Sequence, residues 1–183
     1  MRRLITASAA LLALAGSATA FGAPREAGRQ RTLSRAALTY YGREIARFQK
    51  ETWYWQRVMG VARTGAGGGR GLASLSGAEI LLRDRRWEHR AKAAQRLAAN
   101  PPHLQALLCI HRYEGSWHDG GGPYYGGLQM DLGFQQTYGG WLYRTKGTAD
   151  HWAPLEQIWT AERAVRGRGF WPWPSTARVC GVL

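Results

Sequence analysis

The chain has little of what would staple or anchor a protein by simple means. Its 183 residues include two cysteines, three methionines, four phenylalanines and three lysines. Two cysteines exclude a disulfide-dense miniature scaffold, and no Cys/His spacing supplies the four ligands of a structural zinc. Acids are scarce, 12 Asp+Glu against 25 Lys+Arg, which leaves a formal net charge of +13. Beyond residue 20 no apolar run approaches the ~20 residues a bilayer-spanning helix needs. Nine Trp, eight Tyr and a hydrophobic fraction of 45% are enough to pack a core, which argues against wholesale disorder. The length allows one ordinary domain with an appendage.

The positive charge is unevenly placed. Residues 21–100 hold 16 Lys+Arg against 6 Asp+Glu, whereas residues 101–183 hold 7 against 6. A basic segment of this kind favours polyanions without choosing among nucleic acid, anionic lipid and anionic wall polymer. Arg outnumbers Lys 22 to 3, a bias we read as coding composition rather than function. Compartment narrows the choice. Met1-Arg2-Arg3, the apolar and small-residue run Leu4–Ala15 and Ala18-Thr19-Ala20 form the positive, apolar and small-x-small parts of a secretory signal over residues 1–20. An exported chain with no later transmembrane anchor is expected to be secreted, either free or associated with the cell wall. An even cysteine count in such a chain predicts a bridge between Cys109 and Cys180. It would close a loop of about 72 residues and contribute about 4 kcal/mol through chain entropy.

Apolar positions recur at helical spacing from Thr32 to Met59, through Leu33, Ala37, Tyr41, Ile45, Phe48 and Trp55, and predict a long helix with a basic outer face. Seven glycines within residues 60–77 read as a flexible joint. Ser76 with Glu79 makes a capping box for a second helix through Ile80, Trp87, Ala91 and Leu97 to Asn100. Pro101-Pro102 ends it and marks a domain boundary. A third helix is predicted from His103 to Glu114, stopped by Gly115. A turn-rich aromatic stretch from Trp117 to Gln129 then suits a short hairpin or loop platform. Shorter helices are predicted over Asp131–Tyr138 and Pro154–Arg166.

Glu114 is the candidate for chemistry. It lies four residues after Ile110 and seven after Leu107, on the apolar side of its helix. It also ends that helix, where unpaired carbonyls disfavour a carboxylate. Burial and dipole both favour the protonated form, which a general acid needs. Trp117, Tyr124, Tyr125 and Tyr138 offer flat faces for sugar rings, and Gln129 can donate to and accept from sugar hydroxyls. The glycines at 120–122, 126 and 127 allow a polymer close to the backbone. Asp119 and Asp131 are the acids nearest in sequence for a second carboxylate role, although N-capping is the common use of an Asp placed like Asp131. His111 with Glu114 is too sparse for a metal set, and a structural role for that His is expected; neither a metal nor a cofactor is called for.

The run from Leu107, L-L-C-I-H-R-Y-E-G-S-W-H-D-G-G-G-P-Y-Y-G-G-L-Q-M-D, resembles the core motif of the lysozyme-like superfamily, most closely the transglycosylase-like domain of actinobacterial resuscitation-promoting factors. Ala161-Glu162-Arg163-Ala164-Val165 and the W-P-W-P before Cys180 are similar to the end of that domain. In those relatives the Cys directly precedes the Glu, whereas here five positions separate Cys109 from Glu114. The resemblance covers residues 101–183. It implies an α+β, mostly helical fold, a small lysozyme-like domain preceded by the basic helical segment 21–100. It also implies cleavage of the β-1,4 bond between N-acetylmuramic acid and N-acetylglucosamine in peptidoglycan. Glu114 would be the sole acid/base, with Tyr125, Gln129 and Thr137 in the groove. The expected partners are glycan strands and, through the basic segment, anionic wall polymers. A non-catalytic wall-binding or signalling module is the main alternative. A nucleic-acid binder is the least consistent with export.

Overall fold

A computed structural model describes residues 33–67 and 71–183. The predicted secretory signal at residues 1–20, the start of the basic segment and three residues of the glycine-rich joint lie outside them. The described residues belong to one compact unit, Arg31–Leu183. It is mostly helical, with a single two-stranded sheet among the described residues.

The first helix, α1, spans Arg35–Met59; Ser34 accepts from the Ala37 N–H, and Gly60 at φ +70° ends the helix. Its start falls three residues after Thr32, because Ser34 supplies the cap. The second, α2, spans Gly77–Ala98 behind the predicted Ser76/Glu79 capping box. Its inner face is Ile80, Trp87, Ala91, Ala94 and Ala98. Leu97, expected on that face, is 64% exposed, because the 3–4 step from Ala91 runs through Ala94 to Ala98 and leaves Leu97 one position off the stripe. The two helices pair as a hairpin, with Trp53 edge-on to Trp87 at 5.7 Å. The intervening glycine-rich segment is tied down at Thr64. Thr64 N–H donates to Gln56 Oε1, Gln56 Nε2 donates to Thr64 Oγ1, and Trp53 Nε1 donates to Thr64 O.

Helix α3 spans Leu104–Glu114, with Leu107 and Ile110 fully buried. A hairpin follows, strand β1 at Tyr124–Tyr125 against β2 at Met130–Asp131 in antiparallel register. Its turn places Gly126 at φ +71° and Gln129 at φ +45°; glycine adopts that region without strain, a glutamine does not. Helix α4 spans Leu132–Lys146 in two stretches; the first ends at Tyr138 as predicted, because Gly139 leaves helical geometry at φ −118° and ψ 18°, and a second stretch follows it. It bends at Gly139, where a Cβ would lie 2.5 Å from the Trp152 ring, so the helix continues only because nothing projects there. Helix α5, Pro154–Arg168, and a short α6, Pro174–Val179, complete the chain. Sequence periodicity missed α6; its single buried residue, Ala177, leaves no repeat to read.

The main core joins α3 through α6, with Leu107, Ile110, Leu128, Leu142, Trp152 and Ile158 at its centre. Cys109 and Cys180 form the predicted disulfide, Cα–Cα 6.0 Å, which ties α3 to the end of α6. A smaller cluster of Val58, Met59, Ala98 and Trp159 packs the hairpin onto α5. Polar contacts seal the same joint. Trp159 Nε1 donates to Ala98 O at 2.8 Å, and Arg163 Nη1 donates to Val58 O at 2.6 Å. Pro101-Pro102 is thus a turn between α2 and α3 inside one packed unit. No described helix is long and apolar enough to cross a membrane.

Candidate functional site

The sequence places Glu114 at the end of the buried stripe of α3, and the fold brings it to the edge of solvent. It is half-buried, and its Oε1 accepts a 2.7 Å hydrogen bond from Thr176 Oγ1 on α6. Its neighbour Gly115, at φ +147°, leaves room for two polar groups. A Cβ there would lie 3.3 Å from Gln129 Nε2 and 3.4 Å from Asp119 Oδ2. Gln129 and Asp119 are therefore packed beside the end of α3. Gln129 Nε2 donates to Asp119 Oδ2 at 2.9 Å and to Gly126 O at 3.0 Å, and Asp119 Oδ1 accepts from Gly121 N–H at 3.2 Å. Both Asp119 oxygens thus hold the loop. Asp131 caps α4 by accepting from Phe134 N–H at 2.7 Å.

A cavity of about 590 Å³ lies along the hairpin, α4 and the segment before α6, within the ~300–1,000 Å³ range of small-ligand sites. Among its walls are Tyr124, Gln129, Thr137 and Tyr138, four of the groove residues named from sequence. Trp171 and Arg168 also line it. Sequence reading passed over both, although the W-P-W-P run was the available signal for Trp171. Trp171 and Tyr124 are 62% and 51% exposed, and large aromatics left in water beside a cavity offer flat faces to a ligand. Glu114 itself lies outside this wall; the wall residue Gln129 packs beside its neighbour Gly115, and its partner Thr176 stands two residues beyond the wall residue Pro174.

Trp117 and Tyr125 are placed elsewhere. Trp117 stacks on His111 at 3.8 Å, and its carbonyl accepts from Gln157 Nε2. His111 Nδ1 lies 2.9 Å from Gly127 O. The His therefore braces the hairpin turn. Tyr125 is half-buried against the main core, in register with Met130. Among the described residues no group of three or more His, Cys, Asp and Glu could hold a metal ion.

Buried polar groups fix this scaffold. Gln157 is fully buried; it donates to Trp117 O, Ala149 O and Trp152 O and accepts from Gly127 N–H. Glu162, also fully buried, accepts from His103 N–H at 2.6 Å and faces His103 Nδ1 at 3.0 Å. Arg163 connects the cavity to the hairpin of helices, donating to Tyr138 O, Val58 O and Thr160 Oγ1. Burial pushes its pKa down to about 10, with Arg166 adding to the shift, and it stays charged at neutral pH.

No family model, curated protein or solved structure matches this chain. The chemistry therefore rests on the arrangement itself. A half-buried carboxyl held by one hydroxyl donor, beside an aromatic-walled cavity with an amide on its rim, can exchange a proton with a bound ligand.

Proposed function

We propose that the protein is a secreted peptidoglycan-cleaving enzyme of the lysozyme-like type, a lytic transglycosylase or muramidase. The observation that carries this reading is the cavity that gathers Tyr124, Gln129, Thr137, Tyr138 and Trp171, with the half-buried Glu114 held by Thr176 one residue from Gly115, where Gln129 of the wall packs. A glycan strand would lie over the exposed Tyr124 and Trp171 faces, with Gln129 and Thr137 meeting its polar substituents. Glu114 would donate its proton to the bridging oxygen as the bond to C1 breaks. Asp119 has both oxygens engaged in holding its loop, and Asp131, in the cavity wall, uses one oxygen to cap α4; each has a structural duty, which favours a mechanism with one carboxyl. The sugar's own C6 hydroxyl then bonds to C1 and returns its proton to Glu114, giving a 1,6-anhydro product. With water in place of that hydroxyl the product is a reducing end. The exposed arginines of α1 and α2 would hold the protein on anionic wall polymers, and the Cys109–Cys180 bridge suits an oxidising compartment.

The test is mass spectrometry of muropeptides released from purified peptidoglycan. The full chain should release them, and Glu114→Gln, folded as judged by circular dichroism, should lower release by at least about 10³-fold. Undiminished release by that variant rejects the assignment, and no release by either protein leaves a wall-binding module.

A further inference from the structure

A second cavity, also about 590 Å³, opens between α1 and α4 and shares no lining residue with the first. Trp53, Tyr54 and Trp141 form aromatic walls, and Lys50, Arg57 and Arg63 supply three positive charges; no carboxylate lines it. The site is built rather than incidental. The Thr64 clamp folds the segment after α1 back over Trp53, which sets the Arg63 guanidinium 3.6 Å above the Trp53 ring. Arg57 lies 4.5 Å above the Trp141 ring. Tyr54 is fixed by its hydroxyl, which donates to buried Glu156 at 2.5 Å. Among the described residues none of the three cations forms an ion pair with an acid.

We propose that this cavity binds an anionic sugar, a ring carrying a carboxylate or a phosphate. Each guanidinium lies over an indole ring and has no acid paired with its N–H groups, and those groups are the part that grips an oxyanion through paired hydrogen bonds. The aromatic walls take the flat face of a ring. The need for an anion rests on the charges alone. The choice of a sugar as its body rests on the reading of the protein as glycan-cleaving. A site of this kind on the helical hairpin would hold a neighbouring stretch of wall polymer while the first cavity works, raising the effective concentration of substrate without a new catalytic contact.

The experiment follows the indole N–H signals of Trp53 and Trp141 by NMR in the full chain, titrated separately with N-acetylmuramic acid, glucose 6-phosphate, neutral N-acetylglucosamine and benzoate. At least one of the two acidic sugars should shift both signals, and which one does identifies the anion. Arg57→Gln with Arg63→Gln, both exposed positions, should weaken that binding about tenfold or more with an unchanged melting temperature. Should the double variant prove unstable, Lys50→Gln alone should still weaken binding. Neutral sugar binding as well as the acids, benzoate binding where the sugar acids do not, or indifference to these substitutions overturns the proposal. Glu114→Gln should bind the acidic sugar normally. Loss of cleavage therefore tests the first site and loss of acid-dependent shifts tests this one.

Discussion

Thr176 on α6 donates a 2.7 Å hydrogen bond to Glu114 at the end of α3, across 62 residues of chain. The pairing depends on a second tie between the same two elements. Cys109 lies within α3 and Cys180 directly follows α6, so the disulfide fixes the separation at which Thr176 meets the carboxyl. Cys109 need not stand next to Glu114 to serve it. A bridge within the same helix constrains the partner helix just as well.

Under the proposed function, Thr176 is a positioning residue for Glu114. Thr176→Val should lower muropeptide release about tenfold, because a displaced acid loses alignment with the bond it protonates. Stability should fall by about 1 kcal/mol, as for one hydrogen bond. Thr176→Ser restores the donor and should recover most of the rate. Equal losses in Val and Ser would point to packing of the methyl group instead.

Gly127 admits no side chain. A Cβ there would lie 2.5 Å from His111 Nδ1 and 2.6 Å from the Trp117 ring. Gly127→Ala should reduce stability by about 1–3 kcal/mol through overpacking, read from urea denaturation midpoints. It should also separate the His111–Trp117 stack, visible in the near-ultraviolet dichroism of the tryptophans.

Glu156 is fully buried and accepts from Tyr54, Lys146 and the Ala153 N–H. Burial first, and then the bond to Glu156, hold the Tyr54 phenol above its ordinary value of 10.0. A raised folded-state value means that its contribution is complete below about pH 10 and fades as pH climbs further. Tyr54→Phe keeps the ring and removes the donor, so it should lower stability by about 1.5–3 kcal/mol at neutral pH. The gap between the two proteins should narrow in alkaline denaturant titrations.

Asp84 on α2 behaves in the opposite sense to a salt-bridged carboxylate. Burial, then the charges of Glu44 and Glu88, raise its pKa above the ordinary value of 3.8, and its Oδ1 is buried without a hydrogen-bond partner. The folded state holds the proton more tightly than the unfolded chain. Its favourable contribution is therefore complete below the unfolded value and is lost as pH rises through the folded one. Asp84→Asn should stabilise the protein at neutral pH by about 0.5 kcal/mol, the scale of a like-charge i,i+4 pair. Thermal melts should show that gain vanish in acid.

The places where sequence reading succeeded share a physical cause. The Ser76–Glu79 box, the Asp131 cap and the Gly115 stop act within one turn of chain, so residue type and spacing decide them. The buried Leu107–Ile110 face of α3 follows from the helical period in the same way. Reading failed where a distant partner set the outcome. The helical stretch beyond the Gly139 kink has no signal of its own in the sequence pattern and packs Trp152 against a position without a side chain, and the glycine-rich segment is held at Thr64 because Gln56 and Trp53 reach it. Trp117 and Tyr138 looked alike as stacking surfaces; one packs on His111 and the other lines the cavity.

The sequence by itself determined that the chain is basic, mostly helical and equipped with a single pair of cysteines, because charge, period and count are local quantities. Only the tertiary structure decided which aromatics stay in water, that Thr176 meets Glu114, and that α1 and α2 dock on α5 through Trp159 and Arg163. Those outcomes depend on which surfaces exclude water together. No residue carries that information until its neighbours from 60 or 100 positions away have arrived.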